Sequence, residues 1–204
     1  MKSKIPKRSK QTRLEIEVKL RISNLERLRR DLLEIGCQET VPRSLERNWT
    51  WDFPGQPLRQ QGKLLRVRQF AGRCLLTFKG AARPSRHFKI REEREIEVQD
   101  LETLGVILAR LGLEVIFRYE KYRTSYSLSA QRQGHVVNLA VDETPIGNYL
   151  EIEGREADIT RIADRLGFKS KDAFIKESYL GLFGKSRLVR SQKHMIFAGR
   201  IRRV

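Results

Sequence analysis

Glu15-Ile16-Glu17-Val18-Lys19 sets two carboxylates and an ammonium at every second position. In an extended chain alternate side chains share a face, so Glu15, Glu17 and Lys19 stand together opposite Ile16, Val18 and Leu20. The arrangement recurs. Arg66 and Arg68 alternate with Leu65 and Val67, and Thr77 and Lys79 with Leu76 and Phe78. Arg91, Glu93, Glu95 and Glu97 share a face, as do Lys121 and Arg123. Asn138 and Asp142 lie opposite Val137, Leu139 and Val141, and Glu151 and Glu153 opposite Leu150 and Ile152. Acids and bases are thus sorted strand by strand. Neighbouring like charges repel unless counter-charges lie between them. Carboxylate oxygens suit hard divalent cations such as Mg²⁺ or Mn²⁺. Arg matches phosphate oxygens in a two-pronged contact, and Lys supplies a compact point charge. Together these groups suit a metal-bridged polyphosphate, whose chemistry needs mainly positioning and charge neutralisation. The sequence has no P-loop and no Ser/His/Asp or Cys/His arrangement.

For these faces to meet, the strands that carry them must close on one another. Period-2 alternation predicts strands over 14–20, 48–53, 63–70, 73–79, 87–98, 114–128, 135–142 and 149–153. A turn near Ala71-Gly72 closes the 63–79 hairpin. Ser23-Asn24-Leu25-Glu26 opens a helix that stops at Gly36, and Asp100 caps one that ends near Gly112. Two further helices fit 156–166 and 171–183, while 54–62 reads as a turn-rich connection and 81–86 as a loop. Eight strands and four helices with short links suit an antiparallel α+β fold. An open sheet would turn the charged faces to water. A closed barrel of about eight strands would instead line a cavity wide enough for one small ligand.

Net charge adds less than it first suggests. The 204 residues include 42 Lys and Arg against 25 Asp and Glu, a formal charge of +17. Residues 1–13 hold Lys2, Lys4, Lys7, Arg8, Lys10 and Arg13 with no acid. Residues 185–204 hold Lys185, Arg187, Arg190, Lys193, Arg200, Arg202 and Arg203, again with no acid. The body, 14–184, keeps 29 bases against 25 acids. The chain therefore reads as a basic N-terminal tail (1–13), one domain (14–184) and a basic C-terminal tail (185–204), in which Met195-Ile196-Phe197 could pack on the body or on a partner. Nucleic acid is expected to be held only through the tails. Two cysteines make no disulfide framework, and no apolar run nears the roughly 18 residues of a membrane span. A cytoplasmic protein without membrane contact is the expectation.

The ordered set of motifs resembles the CYTH family, also called the triphosphate tunnel metalloenzymes, after class IV adenylyl cyclases and thiamine triphosphatases. Glu15-Ile16-Glu17-Val18-Lys19 has the family's opening E-x-E-x-K form. Leu65-Arg66-Val67-Arg68, Leu76-Thr77-Phe78-Lys79-Gly80, Arg91 through Val98, Lys121-Tyr122-Arg123, Val141-Asp142-Glu143 and Gly147 through Gly154 follow in family order. The resemblance covers residues from about 12 to 181. It implies a closed antiparallel eight-stranded β-barrel, or tunnel, with flanking helices, and a triphosphate bound inside with Mg²⁺ or Mn²⁺. Carried over, Glu15, Glu17, Glu95, Glu97, Asp142, Glu151 and Glu153 are expected metal ligands. Lys19, Arg66, Arg68, Lys79, Arg91, Lys121, Arg123 and Lys176 are expected triphosphate contacts, Lys176 from a C-terminal helix at the tunnel mouth. Glu15, Glu17, Lys19, Glu151 and Glu153 form the expected catalytic centre. Glu93 reads as a solvent or loop-edge charge, and Trp49 and Trp51 as core or rim packing. The implied substrate is ATP, inorganic triphosphate or thiamine triphosphate, and the implied reaction is cyclisation of ATP or triphosphate hydrolysis. Homodimers are common in the family. The alternative from another class is a basic RNA- or polyphosphate-binding module without chemistry.

Overall fold

A computed structural model describes residues 13–129 and 135–198. The expected tail charges at 1–12 and at 200–203 lie outside the described residues. Strand β1 (Arg13–Ile22) leads into α1 (Leu25–Glu34). Asn24 caps α1 by accepting the Arg27 N–H at 2.9 Å, and Gly36, at φ +89°, ends it. Then come β2 (Gln38–Asp52), a one-turn α2 (Pro57–Gln60), β3 (Leu64–Phe70), β4 (Arg73–Lys79) and β5 (Lys89–Val98). The β3–β4 turn uses positive φ at Ala71 and Gly72, as a tight hairpin requires. Asp100 caps α3 (Leu101–Arg110), and β6 (Glu114–Ser129), β7 (Val136–Thr144), β8 (Gly147–Glu153), α4 (Glu156–Arg165) and α5 (Tyr179–Gly184) follow, with a further 3₁₀ turn at Arg187–Arg190.

The strands form a closed barrel in the order β1-β5-β4-β3-β2-β6-β7-β8, with every pair antiparallel. The fold is the expected α+β barrel with flanking helices. Its apolar strand faces point outward, under the helices. Val18, Leu20, Leu139, Val141, Leu150 and Ile152 pack against Leu28 and Leu32 of α1 and Ile159 and Ile162 of α4. Each such buried side chain contributes roughly 1.5–3 kcal/mol. Trp49, Trp51 and Val67 pack against Leu104 and Leu108 of α3, as the packing expectation for the tryptophans holds. With these two clusters outside, the opposite faces turn charge into the barrel, together with aromatics such as Tyr119 and Tyr149 at one end.

Three elements differ from expectation. β2 starts ten residues earlier than the predicted 48–53, because its first half is irregular around Pro42, with register shifts between Glu39 and Ser44. The turn-rich 54–62 stretch contains α2, with Pro57 in its first turn. The predicted 171–183 helix is broken into a 3₁₀ turn (Lys171–Ala173), an extended stretch and α5. The break arises because Ile175 pairs with the edge of β1, exchanging N–H···O bonds with Lys19 at 3.1 and 2.9 Å. Ser178 then caps α5 by accepting the Gly181 N–H. Farther on, Met195 pairs in parallel with Tyr119, and the Phe197 ring lies 5.2 Å from that of Tyr122, so this segment packs on the body.

Candidate functional site

The barrel encloses a cavity of about 930 Å³. Strand register explains which side chains line it. Glu17 lies opposite Lys89 on β5 and Glu153 on β8, and Lys19 lies opposite Glu151. Lys79 lies opposite Glu93, and Arg123 opposite Asp142. Glu15, Glu17, Lys19, Arg66, Arg68, Lys79, Arg91, Glu95, Lys121, Arg123, Glu151 and Glu153 all line the cavity, so one space gathers most of the residues singled out in the sequence.

On the β6–β7 side the charges are tightly matched. The Lys121 Nζ donates to Asp142 Oδ2 at 2.9 Å and lies 3.3 Å from Glu46 Oε1. Arg123 donates through Nε and Nη2 to the two Asp142 oxygens, both at 2.6 Å, and also to Glu151. The Tyr179 hydroxyl donates to Asp142 Oδ2 at 2.6 Å. Burial alone would raise the Glu46 pKa, but Lys121 and Arg123 outweigh it and hold the group down to about 2. Glu151 is likewise held well below the usual carboxylate range against burial, by Lys121, Lys19 and Arg123.

On the β1–β5 side carboxylates crowd each other. Lys79 Nζ donates to both Glu15 oxygens at 2.6 and 2.8 Å and lies 3.4 Å from Glu93. Burial and the neighbouring Glu17 charge nevertheless raise the Glu15 pKa to about 7. Glu17 goes the other way. Burial opposes its charge, but Lys19 and Lys89 keep it ionised well below the usual range. Lys89 donates to Glu17 at 2.6 Å, and Lys19 donates to Glu151 at 2.9 Å. Arg66 is loosely engaged, 3.4 Å from the Tyr119 and Thr77 hydroxyls and 4.0 Å from Glu93 and Glu95. Its buried Nε has no hydrogen-bond partner. Arg68 donates to Glu95 at 2.9 Å.

Other singled-out residues are placed differently. Glu97 is exposed and pairs with Arg73 at 2.8 Å, outside the cavity. Lys176 is exposed on the extended stretch before α5, and its ammonium donates to the Ser85 carbonyl at 2.8 Å. Asp142 is fully buried behind Lys121, Arg123 and Tyr179 rather than lining the cavity. Arg91 reaches the cavity wall but donates to the backbone carbonyls of Gly80, Gly62 and Lys79, tying strand ends together. Glu93, read from sequence as a solvent or edge charge, lines the cavity. Sequence reasoning missed Glu46, Lys89, Tyr119 and Tyr179. The alternation Glu46-Asn48-Thr50-Asp52 is the signal that would have found Glu46, since all four are buried.

A CYTH domain model matches residues 13–176. The chain belongs to the CYTH family. A Methanocaldococcus jannaschii relative with the provisional name of an adenylate cyclase is 25% identical, over 84% of this chain and 99% of its own. The solved PH1012 protein of Pyrococcus horikoshii is 28% identical, with a TM-score of 0.66 over 82% of this chain and 98% of its own. A Hippeastrum protein described as an adenylyl cyclase candidate with a dominant triphosphatase activity shares the fold. It is 18% identical, with a TM-score of 0.61 over 84% of this chain and 95% of its own. Every charged CYTH residue of the cavity wall falls inside the family match, whereas Tyr179, Phe183 and Met195 lie beyond its end.

The donor chemistry of the CYTH cavity fits a hard divalent cation. Glu15, Glu17, Glu151 and Glu153 offer carboxylate oxygens on two adjacent strands. Among the described residues no three His, Cys, Asp or Glu side chains converge as a ready-made metal cage. An ion such as Mg²⁺ does not require one, since it keeps waters and takes one or two carboxylates together with phosphate oxygens.

Proposed function

We propose that this CYTH protein is a divalent-metal-dependent enzyme acting on a triphosphate held inside the barrel. The observation that carries the reading is the charge-lined cavity itself. Loosely held Arg66 and the ammoniums of Lys19 and Lys79 line the same space as carboxylates suited to metal. Buried ion pairs stabilise a fold weakly, because desolvation offsets their attraction. A cavity wall that gathers this many buried charges is better accounted for by a charged ligand than by stability.

Binding is then an exchange of partners. Substrate phosphates take the cations Lys19, Lys79, Arg66, Arg68, Lys121 and Arg123, which now face protein carboxylates. Glu15, Glu17, Glu151 and Glu153 are thereby left to hold Mg²⁺ or Mn²⁺. Such an ion, when bound, neutralises phosphate charge and polarises a phosphoryl oxygen. Asp142 orients Lys121 and Arg123, and Arg91 fixes the strand ends around the cavity. Lys19 stays protonated against the cost of burial, because Glu151 and Glu17 flank it. The reacting group is a water in hydrolysis or the ribose 3′-hydroxyl in cyclisation of ATP, and both place a polyphosphate against the same cations.

A product assay decides between them. ATP and, separately, inorganic triphosphate are offered with Mg²⁺ or Mn²⁺. Cyclic AMP with pyrophosphate identifies a cyclase, and orthophosphate with pyrophosphate or ADP a hydrolase. Absence of turnover, with polyanion affinity that disappears on removing residues 1–12, would instead support the non-catalytic binding module.

A further inference from the structure

β6 is longer than its neighbour. Its register with β7 runs only from Tyr122 to Ser129, so Glu114–Lys121 meets β2 on one side and leaves its other edge open. Residues 185–198 take part of that edge. The Met195 N–H donates to the Arg118 carbonyl at 3.0 Å, and the Glu120 N–H donates to the Met195 carbonyl at 2.8 Å. The Arg118 N–H donates to His194 Nδ1 at 3.2 Å. Met195 is fully buried in one cluster with Phe117, Tyr119, Tyr149, Tyr179 and Phe183. Strap, α5 and the inward aromatics of β6 and β8 therefore pack as a unit at one end of the barrel.

Tyr179 is where this unit meets the charges. Its ring lies 5.7 Å from Tyr149 and 5.8 Å from Tyr119, and stands over the ammoniums of Lys121 at 4.7 Å and Lys19 at 5.1 Å. Its hydroxyl completes the set of donors on Asp142 Oδ2, alongside Lys121 and Arg123. Asp142 faces those cations and not the cavity, so anything that fixes its carboxylate also fixes where Lys121 and Arg123 point.

We propose that Tyr179 is a positioning residue for Lys121 and Arg123, and that the strap 185–198 holds it in place. The proposal rests on the triphosphate reading of the cavity. It accounts for a tyrosine from beyond the family match being seated against the charged wall, and for the strap's use of backbone bonds to reach it.

The test is steady-state kinetics on the full chain with inorganic triphosphate and Mg²⁺, beside calorimetric binding. Tyr179→Phe keeps the ring and removes the hydroxyl. It should raise KM by about 10-fold, the loss expected for one hydrogen bond to a charged group, with kcat little changed. Met195→Ala should raise KM in the same direction, and the double variant should be no worse than Tyr179→Phe, since both act through one contact. If Met195→Ala does not fold, His194→Ala loosens the strap without opening the core and carries the same expectation. A purely structural role would lower Tm and leave KM unchanged. An unchanged KM in Tyr179→Phe, in a protein whose turnover Glu17→Gln abolishes, overturns the positioning proposal alone. Absence of triphosphate binding by the unaltered chain overturns the proposal and the reading beneath it.

Discussion

Lys121 and Glu15 are both buried charges on inward strand faces, yet their surroundings are opposite in character. Lys121 sits between Glu46 and Asp142, beside an arginine that shares the same acids, and the group is covered by Tyr179. Glu15 is held by Lys79, lies across from Arg91 and faces Glu17 and Glu93 as well. On the β6–β7 wall both cations have close carboxylate partners. On the β1–β5 wall carboxylates crowd one another locally, and burial with the Glu17 charge raises the Glu15 pKa to about 7. On the proposed reading the walls have different tasks: one presents Lys121 and Arg123 to phosphate, and the other presents the carboxylates of Glu15 and Glu17 to a metal ion.

The contrast can be broken at either wall. The largest effect is expected from Lys121→Met, which leaves Glu46 and Asp142 buried with fewer counter-charges and should cost about 3–5 kcal/mol in denaturant unfolding. Glu17→Gln acts on the other wall. It should lower metal-dependent turnover by roughly 10²-fold or more while circular dichroism stays native, because it removes a charge and not a packed side chain. Unchanged turnover and metal dependence would remove Glu17 from the site. Arg68→Ala should weaken triphosphate binding by about 1.5–3 kcal/mol, read as a shift in Kd, with little change in Tm.

The most gradual effect is a pH dependence, measured in EDTA. Folding raises the Glu15 pKa from 4.5 to about 7, so the folded chain binds the proton more tightly than the unfolded chain. That contribution is fully present below pH 4.5 and is lost as pH rises through about 7, with a slope of at most about 1.4 kcal/mol per pH unit. Glu46 on the other wall has the opposite sign. Its contribution is present above pH 4.5 and is lost as pH falls toward 2. Glu15→Gln should flatten the first slope and leave the second. A first slope that survives Glu15→Gln would show that another group carries it.

Much of this was legible in sequence because a barrel with its hydrophobic core outside leaves period-2 alternation in nearly every strand. Spacing alone put Glu15, Glu17 and Lys19 on one face and the apolar residues on the other, and the family resemblance supplied the closure that turns such faces inward. Legibility failed where the alternation did. Glu46 follows Pro42 and an irregular stretch of β2, so its strand was not recognised that far upstream. On β5, spacing gave Glu93, Glu95 and Glu97 one face but not where the barrel ends. Glu93 and Glu95 line the cavity, while Glu97 lies past its rim. Lys176 was placed on a helix that pairing between Ile175 and Lys19 prevents. Tyr179 reaches Asp142 only because distant segments converge, and no local pattern encodes that.

The pairing of β1 with β8 has a kinetic consequence. Lys19 and Glu151 are neighbours across that seam yet lie near opposite ends of the family-matched region. Contacts between such distant parts of a chain form slowly, since the loop they close must first lose its freedom. Glu15, Glu17 and Lys19 reach Glu151 and Glu153 only when that seam shuts. A chain that has formed every hairpin but not that seam contains most of the secondary structure and none of the assembled site. Recovery of activity after refolding should therefore lag behind recovery of strand content.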